Sequence, residues 1–300
     1  MWRRFERLGG ERGVLLLFVL PGLFMLLAAQ FYPLAWSFWV SLLDWSLARG
    51  PEPRGFAGLA NYAHAFSDPI MLGSIRTTVL LALGTTAVQM VAGFALAWLT
   101  VGETRLLRLS RTLLILPMVI APIAAGTMWR MLLSARVGFI NRGLALIGIG
   151  GPDWLGNPVL ALISLVFIDA WEWIPFVTII YAAALASLPT EPIAAAAVDG
   201  ATPWQSFRYV VLPMLLPVTV LVLMFRLIDA LLTLDVVFTT TFGGPGFSTY
   251  TVGFWIYQQG LRYFNISYAA ACSWLLLLAC LLIAGGLLAW RRHIVREQLA

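Results

Sequence analysis

An all-α polytopic membrane protein with six transmembrane helices is the fold class this sequence predicts, and three observations carry it. Of 300 residues, 61% are hydrophobic and only 11% are charged, whereas soluble domains carry about a quarter charged residues. The apolar residues gather in six runs long enough to cross a bilayer, which takes about 20 residues of helix. The basic residues gather between those runs, more of them on one side than on the other.

The first run covers about residues 14–40 and follows Arg3, Arg4, Arg7 and Arg12. A basic start and "LLAAQ" also suit a secretory signal, but the run continues through Pro33 to about Val40. That is longer than a signal's apolar region, so it is read as a first membrane helix. The remaining spans are expected at about 77–101, 110–134, 158–187, 208–234 and 267–290. Several exceed the minimum and imply tilt or extension beyond the hydrocarbon. Pro117, Pro122, Pro175, Pro213 and Pro217 lie within or beside spans. Membrane helices tolerate proline where neighbours satisfy the freed backbone groups. The expected organisation is a tail at 1–13, a membrane domain at 14–290 with a polar insert at 189–206, and a tail at 291–300.

Orientation follows from arginine. Eleven lie in the N-tail, the 102–111 loop, the 188–208 segment and the C-tail; the opposite loops hold Arg49, Arg54, Arg136, Arg142 and Arg262. Basic residues favour the cytoplasmic side, so both termini and the insert are expected there. The opposite loops, 41–72, 135–157 and 235–266, are rich in turn residues. A turn is expected at Gly243–Gly246 with a short helix after it.

Composition narrows the chemistry. All nineteen basic residues are arginine, so the chain lacks the lysine of a phosphate-binding P-loop and of a Schiff base. Cys272 and Cys280 share one apolar run and read as packing residues. His64 and His293 are far apart, and no metal-ligand spacing is present. A pI of 9.6 would suggest nucleic acid for a soluble protein. Here the arginines flank apolar runs and read as topology signals instead.

The polar insert leads into "AAAAVDGATPWQSFRYVVLP", residues 194–213. Thr190 is expected to cap a helix with Glu191 in its first turn, where the dipole favours an acid. Alanines 194–197 favour helix, and Gly200 ends it. Thr202-Pro203-Trp204-Gln205 starts a second helix with the spacing of a capping box. Ile193, Ala197, Ala201 and Trp204 are spaced to share one apolar side. By residues alone, this helix–turn–helix is a docking knob, an interfacial helix on lipid or an ordered loop.

Ionisable residues inside the spans form two pairs, Asp169 with Glu172 and Arg226 with Asp229, each at i,i+3. Charges at membrane depth face a bundle interior or a water-filled path. Carboxylates beside Trp171 and Trp173 would suit a sugar; a structural network balanced by Arg226 is the other reading. Two carboxylates on one embedded helix do not suit glycoside hydrolysis. Trp129, Trp255 and Trp274 read as belt or packing residues.

The 194–213 stretch resembles the "EAA" loop of bacterial ABC-importer permeases: Glu-Ala-Ala, three residues, Gly, nine residues, then hydrophobic–x–Leu-Pro. Asp199-Gly200-Ala201 stand at its centre and Val210, Leu212 and Pro213 at its end, and "LPTE" upstream (188–191) also fits. "LILPMVIAPIAAGTMWRMLL" (114–133), "DAWEWIPFVTII" (169–180), "RLIDALLTLDVVFTTTFGGPG" (226–246) and "YAAACSWLLLL" (268–278) resemble the carbohydrate branch, the maltose and glycerol-phosphate permeases.

The resemblance implies a type I importer permease in a bacterial plasma membrane, transporting a sugar, polyol or related carbohydrate without catalysis. Its partners would be a second permease subunit, two cytoplasmic ATPase subunits carrying ATP and Mg, an external substrate-binding protein and membrane lipid, with no nucleic acid. This chain would hold no cofactor. Glu191, Ala194, Ala195, Asp199, Gly200, Ala201, Leu212 and Pro213 would couple it to the ATPase; Asp169, Glu172, Trp173, Arg226 and Asp229 would line the substrate path. Loops 41–72 and 235–266 would meet the binding protein. One departure stands out: Ala194 occupies the place of the motif's glutamate. An ion-coupled secondary carrier and a permease for a non-carbohydrate solute are the alternatives.

Overall fold

A computed structural model of the protein describes residues 18–100 and 105–299. The 1–13 tail with its four arginines, the start of the first run, residues 101–104 and Ala300 lie outside the described residues, as do the side chains of Arg105, Arg108 and Arg111. The described chain is mainly helical and divides into two compact units: Ile256–Trp274 with the chain up to Ala65, and Phe66–Trp255 with the chain from Leu275.

In the first unit, α1 (Phe18–Ser41) is an apolar helix with a π turn at Leu27–Phe31. The turn comes just before Pro33, which has no N–H to donate. No residue of α1 before Val40 is buried, so lipid or another protein must cover it. The chain then forms a small antiparallel hairpin, β1 (Leu43–Asp44) with β2 (Gly55–Phe56). Asn61, on α2 (Ala60–Ser67), donates its amide to Ser41 O and Leu43 O, both at 2.8 Å. The later segment joins by Leu47 N to Phe264 O and Ser267 N to Trp45 O.

The second unit is built on α3 (Pro69–Leu99) and α7 (Pro158–Ala186). Each starts the same way: a side-chain cap, then proline at the first helical position. Asp68 accepts from Ile70 N and Met71 N, and Asn157 from Val159 N and Leu160 N. The buried stripe of α3 includes Thr78, Ala82, Thr85, Gln89, Gly93 and Ala97. Small residues there let the backbones approach; a Cβ on Gly93 would meet Val177 at 2.6 Å. Against them lies α9 (Pro203–Leu231), with Val222 packed beside Ala97, Val177 and Tyr181. The last helix, α12, spans Ile266–Leu299 and brings Cys280 against Ala82 and Ala230.

The expected third span is not one helix. Residues 110–134 are divided between α4 (Arg105–Val119) and α5 (Pro122–Leu132), and the chain bends by 96° between them. Pro122 is the cause: it forces Ala121 into an extended conformation (φ −60°, ψ 134°) that stops a helix. Three other boundaries move. The second span starts at Pro69, the fifth at Pro203, and the sixth continues as helix through the 291–299 tail. The intervening loops contain α6 (Phe139–Leu146), α10 (Asp235–Thr239) and α11 (Val252–Tyr257). The glycine turn at 243–246 is present, and Thr249 donates to Gly244 O.

α5 lies against α10 so closely that a Cβ on Gly126 would fall 1.9 Å from Thr239 Oγ1. Gly126→Ala is therefore expected to destabilise the protein by about 1–3 kcal/mol through overpacking. Gly73→Ala, where a Cβ meets open space, should leave the thermal unfolding temperature in detergent unchanged or slightly raised.

Candidate functional site

Two sites emerge, both within the second unit. The first is the polar insert. α8 spans Thr190–Val198 and ends in a tight reversal. Gly200 N donates to Ala197 O and Ala201 N to Ala196 O, with Gly200 at φ +81°. This pairing is a Schellman stop, and its left-handed residue is best filled by glycine. The capping box forms as expected: Gln205 N donates to Thr202 Oγ1 and Thr202 N to Gln205 Oε1 at 2.7 Å. Thr190 differs from expectation. It is the first helical residue, and the cap position is Pro189, with no side-chain cap bond.

The face also differs from the expected one. Ile193 packs on a cluster of Ala184, Val211 and Leu215, with Phe207 beside it. Ala197 and Trp204, expected on Ile193's side, point outward instead. The helix start at Thr190 and the reversal at Gly200 set that rotation. The outer crest carries Ala194, Ala195, Ala197, Val198 (87% exposed) and Trp204 (68% exposed). Glu191 and Asp199 are exposed at its two ends, Ala201 is half-buried behind it, and Leu212 and Pro213 are half-buried where the chain continues inward. An aromatic chain anchors the knob: Trp204 meets Phe207, Phe207 meets Trp98, and Trp98 meets Phe94, with ring centres 5.1–6.1 Å apart.

The second site is the intramembrane charge cluster. Arg226, 2% exposed, donates from Nε to Gln89 Oε1 and from Nη1 to Asp229 Oδ2, both at 2.8 Å. Its Nη2 lies 3.6 Å from Asp169 Oδ2 as an ion pair. Gln89 Nε2 donates to Asp169 Oδ2 at 2.8 Å and to the Asp169 carbonyl at 3.2 Å. The guanidinium carbon sits 4.4 Å from the centre of the Trp173 ring, a cation–π distance. Four of the five nominated residues thus form one network. Glu172 is buried at 1% exposure, but its Oε2 has no hydrogen-bond partner and it makes no ion pair among the described residues.

Sequence reasoning missed Gln89, the residue that joins α3 to α7 and α9. A signal was present: polar Thr78, Thr85, Thr86 and Gln89 recur at helical spacing within an apolar span. The network reaches the surface at Asp229, whose side chain is 51% exposed. Trp129 packs edge-on against Phe167 and Trp171, Trp255 is buried, and Trp274 meets Phe38, so all three serve packing.

Comparison with known proteins gives a consistent result. Residues 89–295 match the family described as binding-protein-dependent transport system inner membrane component. A probable ABC transporter permease protein of Sinorhizobium fredii is 34% identical, over 91% of this chain and 88% of that one. The trehalose/maltose transport system permease protein of Thermococcus litoralis is 28% identical, over 83% of each. In structure, the chain is similar to a bacterial ABC transporter involved in the import of the acidic polysaccharide alginate. That match has a TM-score of 0.80 at 21% identity, over 98% of both chains.

Removing one partner from a buried ion pair leaves an uncompensated charge. Arg226→Met is expected to cost about 3–5 kcal/mol. Asp229→Asn, at the exposed end, should cost about 1 kcal/mol or less. Unfolding in mixed detergent micelles checks both; equal costs would show that Asp229, not Asp169, is the main partner of the guanidinium.

Proposed function

Because the chain belongs to the family of binding-protein-dependent transport system inner membrane components, we propose that this ABC transporter permease imports a sugar, polyol or related carbohydrate. In this reading ATP drives transport from separate ATPase subunits, which hold the nucleotide and Mg. The observation that carries it is the outward crest of the insert. Val198, Trp204 and the small alanines form an exposed apolar surface on a fixed helix–turn–helix, the shape a docking partner needs. The carbohydrate class is supported by the trehalose/maltose permease among the relatives.

The mechanism follows from connectivity. The knob runs without interruption into α9, which carries Arg226 and Asp229. Behind the knob, Phe207 and Trp98 tie it to α3, which carries Gln89. A displacement of the knob by closing ATPase subunits would move α9 and α3 together and shift the helices around the network. α7, bonded to both through Asp169, would follow. The half-exposed Asp229 is the part of this network placed to meet solute in a water-filled path. The arginine distribution supports a cytoplasmic position for the knob and both termini. The loops at 41–72 and 235–266 would then face a substrate-binding protein outside, and α1 and the remaining apolar surface would face lipid or a second permease subunit.

Gly200→Leu tests the coupling assignment. It places a branched side chain at φ +81° and should abolish co-purification with the ATPase subunit and ATP-driven uptake in proteoliposomes. Uptake at wild-type rate would sink the assignment. Ala194→Glu restores the family's acid at an exposed position. A new exposed ion pair is worth about 0–1 kcal/mol, so ATPase affinity should rise by up to about fivefold in a titration.

A further inference from the structure

The first unit holds a polar cavity that shares no residue with the insert or the charge network. It encloses about 300 Å³, at the lower end of small-molecule sites, which run to about 1,000 Å³. Three segments build it: β1 with the turn after it, α2, and the stretch joining α11 to α12 with the first turn of α12. Trp45 and Tyr268 supply aromatic walls, and His64 meets Tyr268 edge-on at 4.7 Å between ring centres.

Its charges cancel, since Asp44 and Arg49 bond each other at 2.5 Å. Its neutral groups are only partly used. Gln259, 7% exposed, accepts from Asn265 Nδ2 at 2.9 Å. That bond uses the amide oxygen of Gln259 and the amide nitrogen of Asn265, and both side chains line the cavity. Ser267 lines the same cavity at 2% exposure; its hydroxyl is itself buried, and no group among the described residues hydrogen-bonds it. Buried hydroxyls are rarely left so.

The cavity is therefore lined by two side-chain amides, a buried hydroxyl without a partner among the described residues, flat rings and no net charge. A phosphate or carboxylate would meet Asp44, and an ammonium would meet Arg49. Hydroxyl groups on a carbon ring match all of it: each donates and accepts, and the C–H face of the ring packs on an aromatic wall. We propose that this cavity is a binding site for a neutral saccharide or polyol on the permease chain itself. The inference rests on the carbohydrate reading above.

Equilibrium dialysis of the full chain in lipid nanodiscs, without a binding protein, tests it with radiolabelled glucose, maltose, trehalose and mannitol. At least one should bind saturably, and glucose 6-phosphate should not compete. Gln259→Leu and Ser267→Val should each weaken binding at least tenfold at unchanged thermal unfolding temperature. Gln259→Glu, which keeps the size but removes the amide donor, guards against a packing effect and should weaken it as well. Saturable binding by none of the four, or binding that survives all three substitutions, overturns the site. Loss of binding-protein capture in the variants with no sugar signal overturns it too, since a protein side chain would then fill the cavity. The two readings fail separately. Carbohydrate uptake by the reconstituted transporter without binding here removes only the site. Binding here without carbohydrate uptake removes only the transport reading.

Discussion

A guanidinium buried among apolar helices is the constraint around which the second unit is arranged. Arg226 cannot be neutralised in place, so its charge and its donors must be met by groups from other helices. One carboxylate comes from α7, one from its own helix a turn away, and one amide oxygen from α3. Gln89 is suited to this place because an amide both accepts and donates. It takes a bond from Arg226 and gives one to Asp169, so that cation and anion are held by the same side chain. Trp173 closes the face of the guanidinium. Three helices are thereby fixed in register at one point, in surroundings where apolar packing alone sets register weakly.

Proline does the corresponding work on the backbone. At Pro69, Pro158 and Pro203 it opens a helix, each time just after a residue whose side chain accepts from the first free N–H groups. At Pro122 the same residue type opens a helix in mid-span, and the preceding residue breaks the one before it. The result is a right-angled bend where a uniform apolar run would give one straight span. Gly126 then lets the second piece lie directly on α10.

Much of this was legible in the sequence because local rules dominate it. The stop at Gly200 and the capping box at Thr202 and Gln205 depend on residues a few positions apart, and both form as read. The spans were legible from hydrophobic runs, but their ends were not. Hydropathy marks where apolar residues stop, whereas helix ends are set by caps such as Asp68, which lies in a polar stretch. The bend at Pro122 was hidden because apolar composition is blind to backbone direction. The face of α8 was misjudged for a related reason: spacing gives which residues align, but only the packing of Ile193 on Val211 and Leu215 gives which side is in. Gln89 was hidden by the averaging that found its span, since one amide in a helix of 31 residues barely changes mean hydropathy.

In the proposed coupling role, alanine in place of glutamate at position 194 bears on how the insert would transmit force. A charge on a rim steers and orients a partner but contributes little holding strength when exposed. Buried apolar contact contributes about 25 cal/mol per Å² removed from water, and Val198 and Trp204 present such area on the crest. Aromatic anchors of this kind dominate the energetics of many interfaces. Force also requires that the crest not yield. Here it is braced from behind by Phe207 and Trp98 and joined without a flexible linker to the helix that carries Arg226. In the proposed docking role, the alanine at 194 would remove a contact from the rim and leave the lever intact.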